Sequence, residues 1–276
     1  MSNLASMLLK LLFVAIGCWL LLMVLIYFFQ GKLLFFPQRI TSHDIENIKR
    51  NYPEVEELTL KTADRTKLHG WFIKAKTKEP APLIIYFDGN AGEVSLMIPE
   101  LSKFHHYSIA LINYRGYGLS EGVPTQDALF SDATSIYDQL IQRSDVDKNK
   151  VVAMGRSLGT GVAVYLAENR PLKGAILISP YDSITSIGQR TYPFLPVSLL
   201  MRNPFNSLSR APKIKVPMLC VVASDDRVVP VSHSTKFYDA WAGKKQWHLI
   251  NHADHNNLLL DPTFWPTVAN FLDNLS

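Results

Sequence analysis

The stretch from Lys150 to Pro171, "KVVAMGRSLGTGVAVYLAENRP", holds one serine, Ser157, crowded by Gly155, Gly159 and Gly161. Val151, Val152 and Ala153 form a short β-branched run after the turn-like "DVDKNK" and read as a buried strand arriving from the surface. From Thr160 to Asn169, Val162, Ala163, Leu166 and Ala167 recur at helical spacing until Pro171 stops the helix. Gly155 and Gly159 therefore fall at a strand-to-helix turn. There G-x-S-x-G has a mechanical meaning: the serine takes a strained backbone conformation, and glycine is needed where a side chain would strike the neighbouring strand or helix. The context predicts a nucleophile at Ser157, against the plainer reading of a glycine-rich packing turn.

The remaining strands support the same architecture. "EVEELTLKT" and "KLHGWFIKA", separated by "ADR", predict an antiparallel hairpin. "PLIIYF", "YSIALIN", "VVAM", "GAILIS", "MLCVVA" and "WHLIN" follow as short apolar strands with helical patterns between most of them. In the clearest of these, Thr125 to Ile141, Leu129, Ala133, Ile136, Tyr137 and Leu140 share one face, and Asp127, Asp132 and Asp138 are expected to stay in water. Such alternation predicts an α/β fold with a largely parallel sheet covered on both faces. The site is then expected at the carboxyl ends of the strands.

The 276 residues suit one membrane segment and one domain with a substantial core. A net charge of +4, without a basic stripe or an RNA-binding aromatic motif, argues against a nucleic-acid partner. Cys18 and Cys220 both sit in apolar runs and act as small hydrophobes rather than a disulfide framework. His105 and His106 have no Cys or Glu partner at ligand spacing and read as surface residues closing a helix, so no metal site is expected.

Leu11 to Phe29, "LLFVAIGCWLLLMVLIYFF", is free of charge and long enough to cross a hydrocarbon core of about 30 Å. No small-x-small cleavage site follows it, which favours a single-pass anchor over a signal peptide. Lys10 lies before the run and Lys32, Arg39, Lys49 and Arg50 after it, so positive charge does not choose a side for the domain. The expected organisation is an anchor at 1–30, a linker at 31–53 and a catalytic domain at 54–276. Removing residues 1–30 is expected to release a folded domain.

A serine hydroxyl needs a base, usually histidine, oriented by a carboxylate, and on this type of sheet the chain order is Ser, Asp or Glu, then His. "MLCVVASDDRVVP" offers Asp225 or Asp226, and "HADHNN" offers His252 or His255. The residues by themselves leave both pairs open. His248 lies inside a strand, and His233 opens a helix in a capping or solvent role. An oxyanion would need the backbone N–H of Leu158 and one from "DGNAGE", Asp88 to Glu93.

"YFDGNAG", "NYRGYGLSEGVPT", "GRSLG", "SDDRVVP" and "ADHNN", together with the N-terminal span, resemble the membrane-anchored branch of the α/β-hydrolase superfamily, which includes lipid hydrolases and protein depalmitoylases. The resemblance covers nearly all of the chain after about residue 30 and implies an α/β-hydrolase fold with a small cap. Carried over by position, it implies Ser157 as nucleophile, Asp226 as acid and His255 as base, with the amides of Asn90 and Leu158 for the oxyanion. The acid follows from Gly-x-x-Asp-x-x-Val-Pro, which reads Ala223 to Pro230 with Ala for Gly. Two positions depart from the pattern. Asp88 stands where the family usually has His before Gly, and Asn113 replaces the Asp that usually precedes "YRGYG". A charge on Asp88 would oppose an oxyanion unless a partner such as Arg115 or a backbone amide neutralised it. Arg115 and its glycines are expected to brace the loops rather than to act in catalysis.

Between "GAILIS" and "MLCVVA", "TYPFLPVSLLMRNPF" interrupts the alternation and predicts a cap over about 183–212. Tyr192, Phe194 and Leu199 are its candidate substrate contacts. The function expected is a membrane-anchored serine hydrolase of carboxylic esters or thioesters, with no metal or organic cofactor, acting on an acyl substrate at the bilayer. The alternatives are amide hydrolysis by the same residues and a non-catalytic, membrane-tethered interaction protein.

Overall fold

Alternating apolar runs and amphipathic segments become alternating strands and helices in the computed structural model, which describes residues 2–77 and 80–275. The strands are β1 (Val55–Lys61), β2 (Lys67–Ile73), β3 (Ala81–Phe87), β4 (Ser108–Ile112), β5 (Val146–Arg156), β6 (Gly174–Ile178), β7 (Met218–Ala223) and β8 (Lys245–Ile250). The helices are α1 (Ser2–Leu34), α2 (Ser42–Asn51), α3 (Ile98–Leu101), α4 (Gln126–Leu140), α5 (Leu158–Asn169), α6 (Ile184–Thr191), α7 (Val197–Leu200), α8 (Val231–Ala240) and α9 (Phe264–Asp273).

The strands form one sheet in the order β1-β2-β4-β3-β5-β6-β7-β8, antiparallel at β1/β2 and β2/β4 and parallel from β4 to β8. This is the mostly parallel, doubly covered sheet that the α/β pattern and the family resemblance imply. Every residue of β4, β6 and β7 is buried, as parallel strands covered on both faces require. Leu83, Ile85, Val151 and Ala153 face a core shared with α4, α5 and α8, while Ile84, Tyr86, Val152 and Met154 face a second core with α3 and α9. The period-two alternation thus feeds two apolar layers.

Four expectations need correction. "DVDKNK" belongs largely to β5, where pairing passes from Ala81↔Val146 to Leu83↔Val151 through an irregularity that absorbs the extra residues. Asp132 is buried: it sits inside the apolar stripe of α4 and meets Arg115 at 2.6 and 2.7 Å. His233 is buried as well, with Nδ1 2.8 Å from Asp182 Oδ1, and so ties α8 to the loop after β6. The stretch 31–53 is more ordered than a linker. The helix α1 continues to Leu34, Phe35 enters the core, and α2 follows with Thr41 and Asp44 forming its capping box.

Candidate active site

Ser157 sits between β5 and α5 at φ 51° and ψ −120°, in a region that a non-glycine residue occupies only under constraint. The surroundings explain the glycines. A Cβ at Gly155 would come 2.5 Å from the Gly159 carbonyl oxygen, one at Gly159 would overlap the carbonyl oxygen of Phe87, and one at Gly161 would overlap the Tyr181 hydroxyl. Only glycine lets α5 pack this tightly against β3 and β5 while holding the serine at the turn.

His255 Nε2 is 2.9 Å from Ser157 Oγ, and His255 Nδ1 is 2.7 Å from Asp226 Oδ2. All three residues are buried. Asp226 Oδ1 also accepts hydrogen bonds from the N–H groups of Val228 at 2.9 Å and Val229 at 2.7 Å, so both carboxylate oxygens are engaged. Burial alone would raise this carboxyl, but the His255 hydrogen bond and charge, with the Val229 amide, outweigh it and hold the group below its ordinary value. Asp225 and His252 are exposed. Asp225 Oδ1 accepts from Ser224 Oγ at 3.0 Å, and the His252 N–H donates to the same Ser224 oxygen at 2.8 Å. Of the two candidate acids and two candidate bases, Asp226 and His255 are the pair that meets Ser157.

Leu158 begins α5, so its amide has no carbonyl one turn earlier to accept it. Asn90 and Leu158 line the same cavity as Ser157, and Gly89 packs close to the serine, its Cβ position being 3.6 Å from Ser157 Cβ. The loop is pinned through its carbonyls. Tyr114 Oη donates to Asp88 O at 2.7 Å, and Tyr117 Oη and the Phe36 N–H donate to Asn90 O at 2.6 and 3.0 Å. Tyr114 and Tyr117 are therefore positioning residues that the sequence reading treated only as part of a bracing loop.

Of the two kinds of neutralising partner expected beside Asp88, the backbone amide is present and Arg115 is not. Arg115 is committed to Asp132, Asp64 and Thr66 and makes no bond to Asp88. Asp88 Oδ1 accepts from Tyr86 Oη at 2.9 Å and from the Gly89 N–H at 2.7 Å. Burial dominates and raises this carboxyl, against the opposing pull of the Gly89 amide, the Arg156 charge and the Tyr86 hydroxyl. A raised value favours the neutral acid and so lessens the repulsion of an oxyanion. The second departure has a local reason. Asn113 Nδ2 donates to buried Glu93 Oε1 at 2.8 Å, where an aspartate would bring like charge against Glu93.

Beyond Ser157 opens a cavity of about 370 Å³. Its walls include Ile184, Ile187 and Gly188 of α6, with Leu195, Leu200 and Met201 of the cap. Tyr192 lines it; Phe194 and Leu199 do not, and they are 64% and 82% exposed on the outer surface of the cap. The rotation of the four-residue α7 turns Val197 inward and Leu199 outward, while Phe194 precedes that helix. Unforeseen contributions come from α1, whose Ile26, Gln30, Leu33 and Leu34 line the same cavity. Arg156 was also missed; its Nη2 donates to the His255 carbonyl oxygen at 3.2 Å.

No group of three or more His, Cys, Asp or Glu side chains that could hold a metal occurs among the described residues. What the residues bring together is a serine hydroxyl within hydrogen-bond distance of an imidazole, facing a mainly apolar cavity.

Residues 107–257 match the prolyl oligopeptidase family. The chain is 30% identical over 240 residues to an α/β-hydrolase domain-containing protein of Arabidopsis thaliana, covering 76% of this chain and 75% of that one. It is 31% identical over 256 residues to an uncharacterised membrane protein of Saccharomyces cerevisiae, covering 90% of each. Among solved structures, an esterase of Pyrococcus furiosus superposes with a TM-score of 0.69 at 19% identity, over 88% of this chain and 97% of that one.

Proposed function

Because the chain belongs to the prolyl oligopeptidase family of α/β hydrolases, we propose that it is a serine hydrolase cleaving carboxylic esters or thioesters at a membrane. The observation that carries this reading is the relay Asp226–His255–Ser157 ending at a mainly apolar cavity. His255 Nε2 takes the Ser157 proton as Oγ bonds to the acyl carbon, and the carbonyl electron pair moves onto oxygen to form a tetrahedral adduct. The amides of Leu158 and Asn90 are the proposed donors to that oxyanion. As the adduct collapses, the bond to the alcohol or thiol breaks and His255 returns the proton to the leaving group. Water, deprotonated by the same imidazole, then attacks the acyl-enzyme, and Ser157 leaves with the proton. Asp226 fixes the imidazole tautomer and stabilises the imidazolium in both halves.

The apolar lining supports an acyl chain as the bound portion, since each buried methylene contributes about 0.8 kcal/mol. It favours an ester or thioester over a peptide, whose amides would need polar partners there. The apolar α1, with the yeast membrane protein as a relative, supports a single-pass anchor. The relay argues against a non-catalytic scaffold. Hydrolysis of matched p-nitrophenyl esters, thioesters and p-nitroanilides by the full-length protein tests the reading. Ester or thioester turnover lost in Ser157→Ala supports it; anilide turnover alone, or turnover retained in Ser157→Ala, overturns it.

A further inference from the structure

The anchor helix forms part of the cavity wall. Met23, Ile26, Gln30 and Leu33 recur at three- and four-residue spacing and so share one stripe of α1. Met23 is buried against Leu195 and Val197 of the cap, and Ile26 packs on the same cluster. Gln30 fastens the contact at its polar end. Its Nε2 donates to the Leu200 carbonyl oxygen at 2.9 Å, and its Oε1 accepts from the Arg202 N–H at 2.7 Å. The Arg202 guanidinium lies 5.5 Å from the centre of the Tyr27 ring. Below this clamp, Ile26, Gln30, Leu33 and Leu34 share a cavity with Ser157 and Leu158.

Depth along α1 indicates what can occupy that cavity. Lys10 and Lys32 bracket the uncharged run. Met23 is nine residues from Lys32, so with Lys32 at the interface it lies about 14 Å inside the hydrocarbon, near the middle of a core of about 30 Å. The cap residues packed on Met23 and Ile26 would enter the same leaflet. Gln30, two residues from Lys32, lies about 3 Å inside the interface, and its bonds satisfy the 200–202 backbone at the hydrocarbon edge. The outer surface of the cap matches this placement: Phe194 and Leu199 are exposed apolar residues that lipid would cover.

From this juxtaposition we infer that α1 and the cap together form a portal through which the long acyl chain of a membrane-lipid ester passes from the bilayer to Ser157. The inference rests on the hydrolase reading and adds the origin of the substrate and the path of its chain. It makes α1 a wall of the acyl site as well as a tether. Truncation at residue 30 would remove Met23, Ile26 and Gln30 and open the cavity on that side.

The test uses the full-length protein in phosphatidylcholine vesicles. Ile26→Trp narrows the portal, whereas Leu25→Trp changes an exposed neighbour that does not line the cavity. With p-nitrophenyl acetate and hexadecanoate as probes, Ile26→Trp is expected to lower kcat/KM about tenfold for the long ester and less than about twofold for acetate. Leu25→Trp should leave both within about twofold. Equal long-chain efficiency in the native protein and Ile26→Trp would overturn the inference.

A second measurement needs neither turnover nor a folded Ile26 variant. Ser157→Ala protein is irradiated in vesicles containing phosphatidylcholine with a diazirine at the end of one acyl chain, and adducts are mapped by peptide mass. Adducts at Leu34, Leu195 or Leu200 support the portal; adducts confined to the exposed residues of α1 and the outer cap overturn it. Failure of the native protein to hydrolyse any ester would overturn the esterase reading, while the adduct pattern would still decide the portal.

Discussion

Arg156 Nη2 donates to the carbonyl oxygen of His255 at 3.2 Å, so the residue preceding the nucleophile holds the backbone of the proposed base. The β5–α5 turn and the loop after β8 lie 99 residues apart in the sequence, and this bond joins them beside the Ser157–His255 contact. Arg156→Met should lower kcat by about tenfold with KM changed less than about twofold, because displacement of a base is felt mainly in the chemical step. Arg156→Lys should restore part of that loss. Equal loss in both variants together with a lowered melting temperature would mark Arg156 as structural only.

The two adjacent acids should behave differently. Asp226→Asn removes the charge that orients His255 and should lower kcat by roughly 10³- to 10⁴-fold. Asp225→Asn, on the exposed side of the same turn, should stay within about twofold, as should His252→Ala. Steady-state kinetics on a single soluble ester distinguish them, and the reverse ranking would transfer the acid role to Asp225.

Asp88 carries a pH signature. Its folded pKa is raised, chiefly by burial, so its contribution to stability is fully present below the unfolded value and is lost as pH rises through the folded value. Asp88→Asn keeps an acceptor for Tyr86 and Gly89 but cannot ionise. The melting temperature of Asp88→Asn relative to the native protein should therefore rise as pH is taken from about 4 to about 8. A difference that is flat or shrinks across that range would contradict the assignment.

Arg115 is buried between Asp132, itself buried, and Asp64, whose side chain is largely exposed. Asp132→Ala would leave the guanidinium with Asp64 as its one remaining carboxylate, beside the Thr66 hydroxyl, and should destabilise the fold by about 3–5 kcal/mol, measured by urea unfolding. Ester turnover below the unfolding transition should persist, since Arg115 touches none of the proposed reacting groups. A loss below about 1 kcal/mol would show that the pair is dispensable.

The sheet was readable because β-branched runs and glycine-rich turns obey local rules, and the strand-to-helix context of Ser157 is itself local. The choice of Asp226 over Asp225 was not local. It depends on a turn that directs the Val228 and Val229 amides to one carboxylate, and only the family pattern pointed to it. Asp132 was misread although the signal was present: Leu129, Asp132, Ala133 and Ile136 fall at i, i+3, i+4 and i+7, which places the acid inside the buried stripe. That α1 lines the cavity was hidden because an apolar run looks alike toward lipid and toward protein. Gln30, a polar residue at its end, was the available clue. Leu199 could not be separated from Val197 by composition, since the rotation of a four-residue helix determines which side meets the cavity.

The most direct test of the nucleophile is to incubate the full-length protein with a fluorophosphonate, digest it and locate the adduct by peptide mass. A histidine-activated hydroxyl beside oxyanion donors attacks phosphorus as it attacks an acyl carbon. One phosphonyl adduct is expected, on Ser157, absent in Ser157→Ala and strongly reduced in His255→Ala. An adduct on another serine, or none under conditions where a known serine esterase is fully labelled, would contradict it.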